Sequence, residues 1–275
     1  MNRPQSWENC DKDIKMFIIS LTKKIEEELG TNLIGIYLHG SLAMGSYYRP
    51  KSDIDIIIVV GHKLDKEIAN KVGVSIAMET HNRPTIGDVE LSIITKEVAK
   101  LVPVPTPYEL HYSTEWAKKI LNNEVDYSLE VTDSDLPSHL TYVLQRGICL
   151  YGQPIQDVFG QYPWKSFMDS IIYDLEWILE SDNILESPYY TVLNICRVFQ
   201  LLSENNQTVH SKDEGGEWGL LHLPHKYHAL IQQALDVYRS SEIVSEEQRK
   251  TGGREWNSST LRAFRDYARE KLLAY

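Results

Sequence analysis

Apolar residues at Ile14, Phe17, Ile18, Leu21, Ile25 and Leu29 recur three and four apart, and Gly30 follows them. That period lays one face of a helix against a core, and glycine is a natural stop, so the pattern predicts a helix from about Trp7 to Leu29. The period then changes. Leu33 to His39 is a short, mostly apolar run broken by Gly40-Ser41, which reads as a strand entering a tight turn. Gly45-Ser46 and Arg49-Pro50 make a second break before Ser52 to Val60, the second strand. Asp65 to about Val72 predicts a helix, and Ile76 to Met78 fits either period. From Asp88 to Ile94 the residues alternate. Val89, Leu91 and Ile93 are expected to face a core, and Asp88, Glu90 and Ser92 to face out, as a third strand.

Pro103, Pro105 and Pro107 mark a stiff extended segment. Tyr108 to Asn122 follows, dense in aromatic and acidic residues: Tyr108, Glu109, Tyr112, Glu115 and Trp116. Asp133 to Asp135 caps a helix expected to run to about Arg146. Beyond it helical periods dominate, at Phe167 to Leu179, at Val192, Ile195, Cys196 and Phe199, at Leu230 to Tyr238, and at Leu261, Phe264, Ala268 and Leu272. Ser187-Pro188 reads as an N-cap with proline in the first turn. Ser211 and Glu214 have capping-box spacing. The pattern thus predicts an α/β (α+β) domain with a mixed sheet over residues 1–155. An all-α helical bundle follows over 156–275, with the division near 150–162. No internal repeat is present.

Composition narrows the function. The 275 residues are 42% hydrophobic, ample for a core, and carry a formal charge of −11. Nucleic-acid binders cluster Lys and Arg, so an acidic balance disfavours DNA or RNA as partner and favours cations, metals and small basic ligands. Cys10, Cys149 and Cys196 are far apart without a Cys-x-x-Cys, so reduced thiols in a cytoplasmic protein are expected, with neither disulfide framework nor zinc site. The first residues lack a basic stretch followed by an apolar one, and no signal peptide is expected. The longest apolar run, Ile56 to Val60 with Ile54 before it, is too short for a membrane span. A monomer is expected.

The candidate chemistry lies in Ser52-Asp53-Ile54-Asp55. Two acids two apart on a strand share a face. Such a pair at the head of an apolar strand is costly to bury unless something neutralises it, and a divalent metal is a common partner. With Glu90 on the next strand, three carboxylates can hold two Mg²⁺ ions bridged by a nucleotide's phosphates. The Gly40-Ser41 turn, with no side chain at its first residue, lets backbone N–H groups and the Ser41 hydroxyl approach phosphate oxygens.

Gly40-Ser41, a spacer and Ser52-Asp53-Ile54-Asp55 together resemble the Gly-Ser…Asp-x-Asp signature of the polymerase-β-like nucleotidyltransferases. More closely, the chain resembles the aminoglycoside adenylyltransferases of the streptomycin/spectinomycin type, in Gly35 to Val60, Asp88 to Ile93, Tyr108 to Trp116, Leu193 to Arg197 and Glu217 to Tyr227. The resemblance implies a nucleotidyltransferase domain followed by a helical domain, with ATP and Mg²⁺ bound between them. A drug hydroxyl attacks the α-phosphate, AMP is transferred and pyrophosphate leaves. It implies Asp53 and Asp55 as metal ligands and Glu90 as catalytic base beside them. Gly40, Ser41, Ser52, Arg197 and Lys212 are implied at the nucleotide, with Trp116 at the drug and Glu115 and Tyr112 near it. Lys212, within a capping box at a helix N-terminus, also stands where anions are welcome. The chain departs from the family at Leu185 to Tyr190, where relatives carry an acid that helps to select streptomycin, and in a slightly longer loop between Arg197 and Lys212.

Three other functions compete: AMP transfer to a protein or another metabolite, a nucleotide-binding sensor without catalysis, and polynucleotide extension. The acid triad speaks against the sensor and the net charge against extension. His222, His225 and His228 recur every three residues. With Pro224 inside the run and no acid or cysteine to complete a set, they read as surface histidines rather than zinc ligands.

Overall fold

Both faces of the central sheet are covered, which explains why its strands read as nearly continuous apolar runs. The computed structural model describes residues 3–204 and 206–273 and resolves two compact units. The first comprises residues 5–47 and 52–167. Its elements begin with α1 (Lys12–Leu29), β1 (Leu33–His39), α2 (Gly40–Met44), β2 (Ile54–Val60), α3 (Lys66–Thr80), β3 (Val89–Thr95) and α4 (Lys96–Leu101). They continue with β4 (Thr106–Tyr108), β5 (Leu110–Tyr112), α5 (Ala117–Leu121), β6 (Val131–Asp133), α6 (Leu136–Arg146), β7 (Ile148–Gly152) and α7 (Ile155–Val158).

Five strands form one sheet in the order β5-β3-β2-β1-β7, and β4 pairs with β6 apart from it. Only β2 and β3 run parallel, so the sheet is mixed. One core joins Ile14, Ile18, Leu21 and Ile25 of α1 and Val72 and Ile76 of α3 to Leu38, Ile56, Ile58 and Leu91. The other joins Leu136, Leu140 and Val143 of α6 and Phe159 to Tyr37, Ile57, Val59 and Ile94.

Several sequence expectations are corrected. The outward side of β3 is not a solvent face, since Ser92 is 3% exposed and Ile94 lies in the second core. Residues 7–9 form a turn, and α1 starts at Lys12, after Asp11. Strand β2 starts at Ile54 rather than Ser52. Helix α3 runs through Ile76–Met78 to Thr80, because Ile76 and Ala77 continue its buried face. Strand β7 was not expected, its pattern being too short to register as a strand. It pairs Gly35 with Gly152 and Leu38 with Ile148 on the far side of β1.

The second unit takes residues 168–273, together with residues 3, 4 and 48–51. Its helices are α8 (Trp164–Leu179, which begins in the sheet unit), α9 (Pro188–Ser203), α10 (Lys212–His222), α11 (His228–Tyr238) and α12 (Ser258–Leu272). Helix α9 is buried along most of its length. Helix α10 approaches it through glycines: a Cβ at Gly216 would meet Leu193 Cδ2 at 2.8 Å, and one at Gly219 would meet Cys196 Sγ at 2.8 Å. Residues 48–51 belong here because Tyr48 sets its ring edge-on to Tyr238, 5.3 Å between centroids, and Lys51 Nζ donates to the Glu242 carbonyl at 2.9 Å. Among the described residues no helix is long and apolar enough to cross a membrane.

Candidate functional site

Strand register builds the acidic site. Between β1 and β2, His39 lies opposite Asp55; between β2 and β3, Asp55 lies beside Glu90. Neighbouring strands are roughly 4.8 Å apart, so an imidazole and two carboxylates form one row across three strands. Ser92, two residues beyond Glu90 on the same face, is paired with His111 of β5, whose Nδ1 lies 3.0 Å from Ser92 Oγ. Asp53 immediately precedes β2, and its Oδ1 accepts the Asp88 amide at 2.7 Å. That bond fastens the head of β2 to the head of β3.

Gly40 begins α2 at φ 65°, a left-handed conformation natural to glycine. A Cβ there would collide with Asp55 Oδ2. The missing side chain is what allows the Asp55 carboxylate to lie against the turn. Ser41 Oγ, next in the chain, is buried and has no hydrogen-bond partner among the described residues. An unmade bond at a buried hydroxyl is costly unless a ligand completes it. Ser52 is buried, and its carbonyl leaves no room for a side chain at Gly87.

Two imidazoles on this face have lowered basicity. Burial, and then the nearby His139, pushes His39 well below its ordinary pKa; the two rings are 5.0 Å apart. Burial also lowers His111, against the opposing pull of Glu90 and Asp133. Sequence reasoning missed His39, His111 and His139. Only His39 carried a local signal, its place directly before Gly40-Ser41. The other two come to this face through strand register and through α6.

Among the described residues no three His, Cys, Asp or Glu side chains converge closely enough to hold a metal ion by themselves. Asp53, Asp55 and Glu90 offer hard oxygen donors, the chemistry that suits Mg²⁺. That ion usually takes one or two protein carboxylates and completes its octahedron with waters and substrate phosphates. The donor set, the recess at Gly40 and the orphaned Ser41 hydroxyl fit a metal–nucleotide pair rather than a closed metal cage.

The residues expected at the acceptor separate. Trp116 is half-buried, its ring 5.9 Å from that of His111 and with Lys119 Nζ 5.1 Å from its centroid. It lines a cavity of about 240 Å³ with Tyr108, Glu109, Glu124 and Tyr127. Glu115 is exposed and is not among the residues lining that cavity. Tyr112 is 1% exposed in the first core, its hydroxyl hydrogen-bonded to that of Thr80. Its place in a substrate site is therefore corrected to one in the core, because alternation on β5 turns it to the face opposite His111.

In the helical unit, Arg197 lies on α9 where α10 comes closest: a Cβ at Gly215 would sit 2.6 Å from Arg197 Cα. Lys212 opens α10 one turn before Gly215. The expected capping box is present, with Glu214 N donating to Ser211 Oγ at 3.1 Å and Ser211 N donating to Glu214 Oε2 at 2.7 Å. Lys212 Nζ lies 4.8 Å from the centroid of Tyr190 and 6.0 Å from that of Tyr238. Of the three clustered histidines, His222 Nδ1 lies 2.9 Å from the Trp218 carbonyl and His228 Nε2 2.8 Å from that of Leu223. Two of the three are thus engaged with backbone.

Known proteins resemble this chain in sequence and in fold. Curated relatives include the spectinomycin 9-adenylyltransferases of Staphylococcus aureus, 25% identical over 80% of this chain and 84% of theirs, and of Campylobacter jejuni, 25% identical over 80% and 83%. An aminoglycoside (3'')(9) adenylyltransferase of Rhizobium radiobacter is 23% identical over 78% of this chain and 79% of its own. The fold matches a crystal structure of spectinomycin adenyltransferase from Enterococcus faecialis with ATP and spectinomycin, with a TM-score of 0.70 and 21% identity over 92% of this chain and 99% of that one. Residues 19–141 match the nucleotidyltransferase domain family, and residues 157–269 match the C-terminal domain of the aminoglycoside adenylyltransferases. With both domains in succession on one chain, the protein is a nucleotidyltransferase and belongs to the aminoglycoside adenylyltransferase family.

Proposed function

We propose that the protein transfers AMP from ATP to a hydroxyl of a cationic aminocyclitol antibiotic of the spectinomycin or streptomycin type and releases pyrophosphate. The observation that carries this reading is the register that sets Asp55 beside Glu90, next to the Gly40 recess and the orphaned Ser41 hydroxyl. Spectinomycin is the acceptor named for several relatives. The formal charge of −11 suits an ammonium-bearing acceptor.

Asp53 and Asp55, with Glu90 beside them, would hold Mg²⁺. When bound, Mg²⁺ supplies charge neutralisation at the triphosphate and lowers the pKa of the attacking hydroxyl. Ser41 Oγ donates to a phosphate oxygen. Arg197 and Lys212 are further phosphate ligands. Glu90 takes the proton of the acceptor hydroxyl as its oxygen bonds to the α-phosphorus and the bond to pyrophosphate breaks. The cavity at Trp116 receives the cationic acceptor, with the indole face as a cation–π surface and Glu109 and Glu124 as counter-charges.

The test incubates the protein with ATP, Mg²⁺ and a panel of spectinomycin, streptomycin and other cationic aminocyclitols, read by mass spectrometry. The expected result is a product one AMP heavier together with pyrophosphate. No adduct across the panel would sink the reading, and a mass shift on a co-purified protein would redirect it to another acceptor.

A further inference from the structure

One residue stands on the acid face and also lines the cavity at Trp116. His111 of β5 pairs with Ser92 of β3, two residues beyond Glu90, and it lines that cavity with Tyr108 and Trp116. His39, Asp55, Glu90, Ser92 and His139 do not line it. The rings of Trp116 and Tyr108 stand edge-on to the imidazole, 5.9 and 6.0 Å away between centroids. Residues two apart on a strand are separated by about 6–7 Å, a distance that a substituted six-membered ring spans.

Hydrogen-bond accounting decides what this imidazole offers. Ser92 is 3% exposed, and His111 Nδ1, at 3.0 Å, is the partner of its hydroxyl. If a neutral ring carried its proton on Nδ1, that N–H would donate to Ser92 Oγ, and the buried O–H would have no acceptor among the described residues. A buried donor left unpaired is costly. With Ser92 donating to Nδ1 the hydroxyl is satisfied, and the neutral ring carries its hydrogen on Nε2. A protonated ring would carry one there too. Nε2 is therefore a donor, and it has no hydrogen-bond partner among the described residues. A donor on a cavity wall selects an oxygen rather than an ammonium. Glu109 and Glu124 line the same cavity and suit ammonium groups, so His111 complements them.

We propose that His111 is an acceptor-binding residue whose Nε2–H donates to an oxygen of the aminocyclitol other than the reacting hydroxyl, and so orients its ring towards Glu90. Ser92 is a positioning residue that acts through the imidazole by fixing its tautomer. The inference rests on the reading of the cavity at Trp116 as the acceptor site, and the experiment separates the two. Binding of spectinomycin and of streptomycin is measured by calorimetry, with Mg²⁺ and the α,β-methylene analogue of ATP. The proteins are the parent, Trp116→Leu, His111→Leu, His111→Gln, Ser92→Ala and the double variant Ser92→Ala/His111→Leu. Nitrogen NMR of the parent with labelled histidine is recorded before and after the drug is added.

His111→Leu should weaken drug binding about three- to tenfold, the scale of one neutral hydrogen bond, with the affinity for the ATP analogue unchanged. His111→Gln, whose amide can place an N–H near the position of Nε2, should recover most of that loss. Ser92→Ala should weaken binding by less and add nothing to His111→Leu. The spectrum should show the His111 proton on Nε2, and its resonance should move downfield on drug binding, as a new hydrogen bond requires and a merely structural imidazole does not. A neutral ring with its proton on Nδ1 overturns the proposal. Parent-like binding in His111→Leu beside weakened binding in Trp116→Leu overturns it while the cavity reading stands. A loss in His111→Leu that His111→Gln does not relieve, with the Nε2 resonance unmoved, also overturns it. Parent-like binding in both His111→Leu and Trp116→Leu, or a parent that binds neither drug, overturns the cavity reading and the proposal with it. Should His111→Leu fail to fold, His111→Met replaces it under the same criteria.

Discussion

The two charged regions of this protein are assembled by different means. The acid row is set by strand pairing: His39, Asp55 and Glu90 align because the two ladders that join three strands share a register. A ladder fixes the backbone, so the carboxylates inherit their spacing from hydrogen bonds that the cores on both faces of the sheet protect. The Arg197 and Lys212 pair is set by helix packing, where Gly215 lets α10 touch α9 at Arg197. No ladder joins the two helices. Their spacing depends on the volume at the contact, and a long side chain must be steadied by its neighbours. The first region is rigid by backbone and the second is tuned by side chains, so substitutions in the first should damage chemistry and those in the second should damage binding or stability.

The sharpest way to break this contrast is Glu90→Gln. Loss of a general base predicts a fall in turnover of roughly a hundred- to ten-thousand-fold with nucleotide binding kept; unchanged turnover would refute the base assignment. Paired glycine substitutions come next. Gly40→Ala drives a Cβ into Asp55 Oδ2 at a positive φ, and the displaced carboxylate should reduce kcat by on the order of a hundredfold. Gly215→Ala should cost about 1–3 kcal/mol of stability by overpacking the α9–α10 contact and raise the KM for ATP, with a smaller change in kcat. If both glycines gave the same kinetic pattern, the division drawn here would fail.

Ser41→Ala sharpens the comparison further. Its hydroxyl makes no hydrogen bond among the described residues, so urea denaturation should show little change while nucleotide binding weakens about three- to tenfold. The smallest effect is a baseline outside both regions. Lys71, Lys24 and Ser75 hydrogen-bond Glu28 and bring its pKa down from 4.5 to about 2. A depressed carboxylate pKa stabilises the fold above the unfolded value, and that contribution is lost as pH falls from about 4.5 towards 2. Glu28→Gln should cost about 1 kcal/mol at pH 7, because both lysines are solvent-screened, with the difference shrinking at pH 3. Turnover should not change.

By itself the sequence determined α1, the first three strands, most of the longer helices, the acid pair, the Gly-Ser turn, the third acid and the capping box. These are local: period, spacing and turn chemistry lie within a few residues of one another. It also pointed to two domains, one with a sheet and one helical. The tertiary structure alone decided which residues keep company. Tyr112 and Trp116 are four apart, yet alternation on β5 sends the first into the core and the turn after it leaves the second lining a cavity. His111 and His139 meet the acid face through register and through α6. Strand β7 joins the sheet by pairing with β1, more than a hundred residues away in sequence. Tyr190 lies over Lys212 because two helices touch at a glycine. Such contacts join residues far apart in the chain, and no period along one strand of sequence encodes the partner that packing supplies.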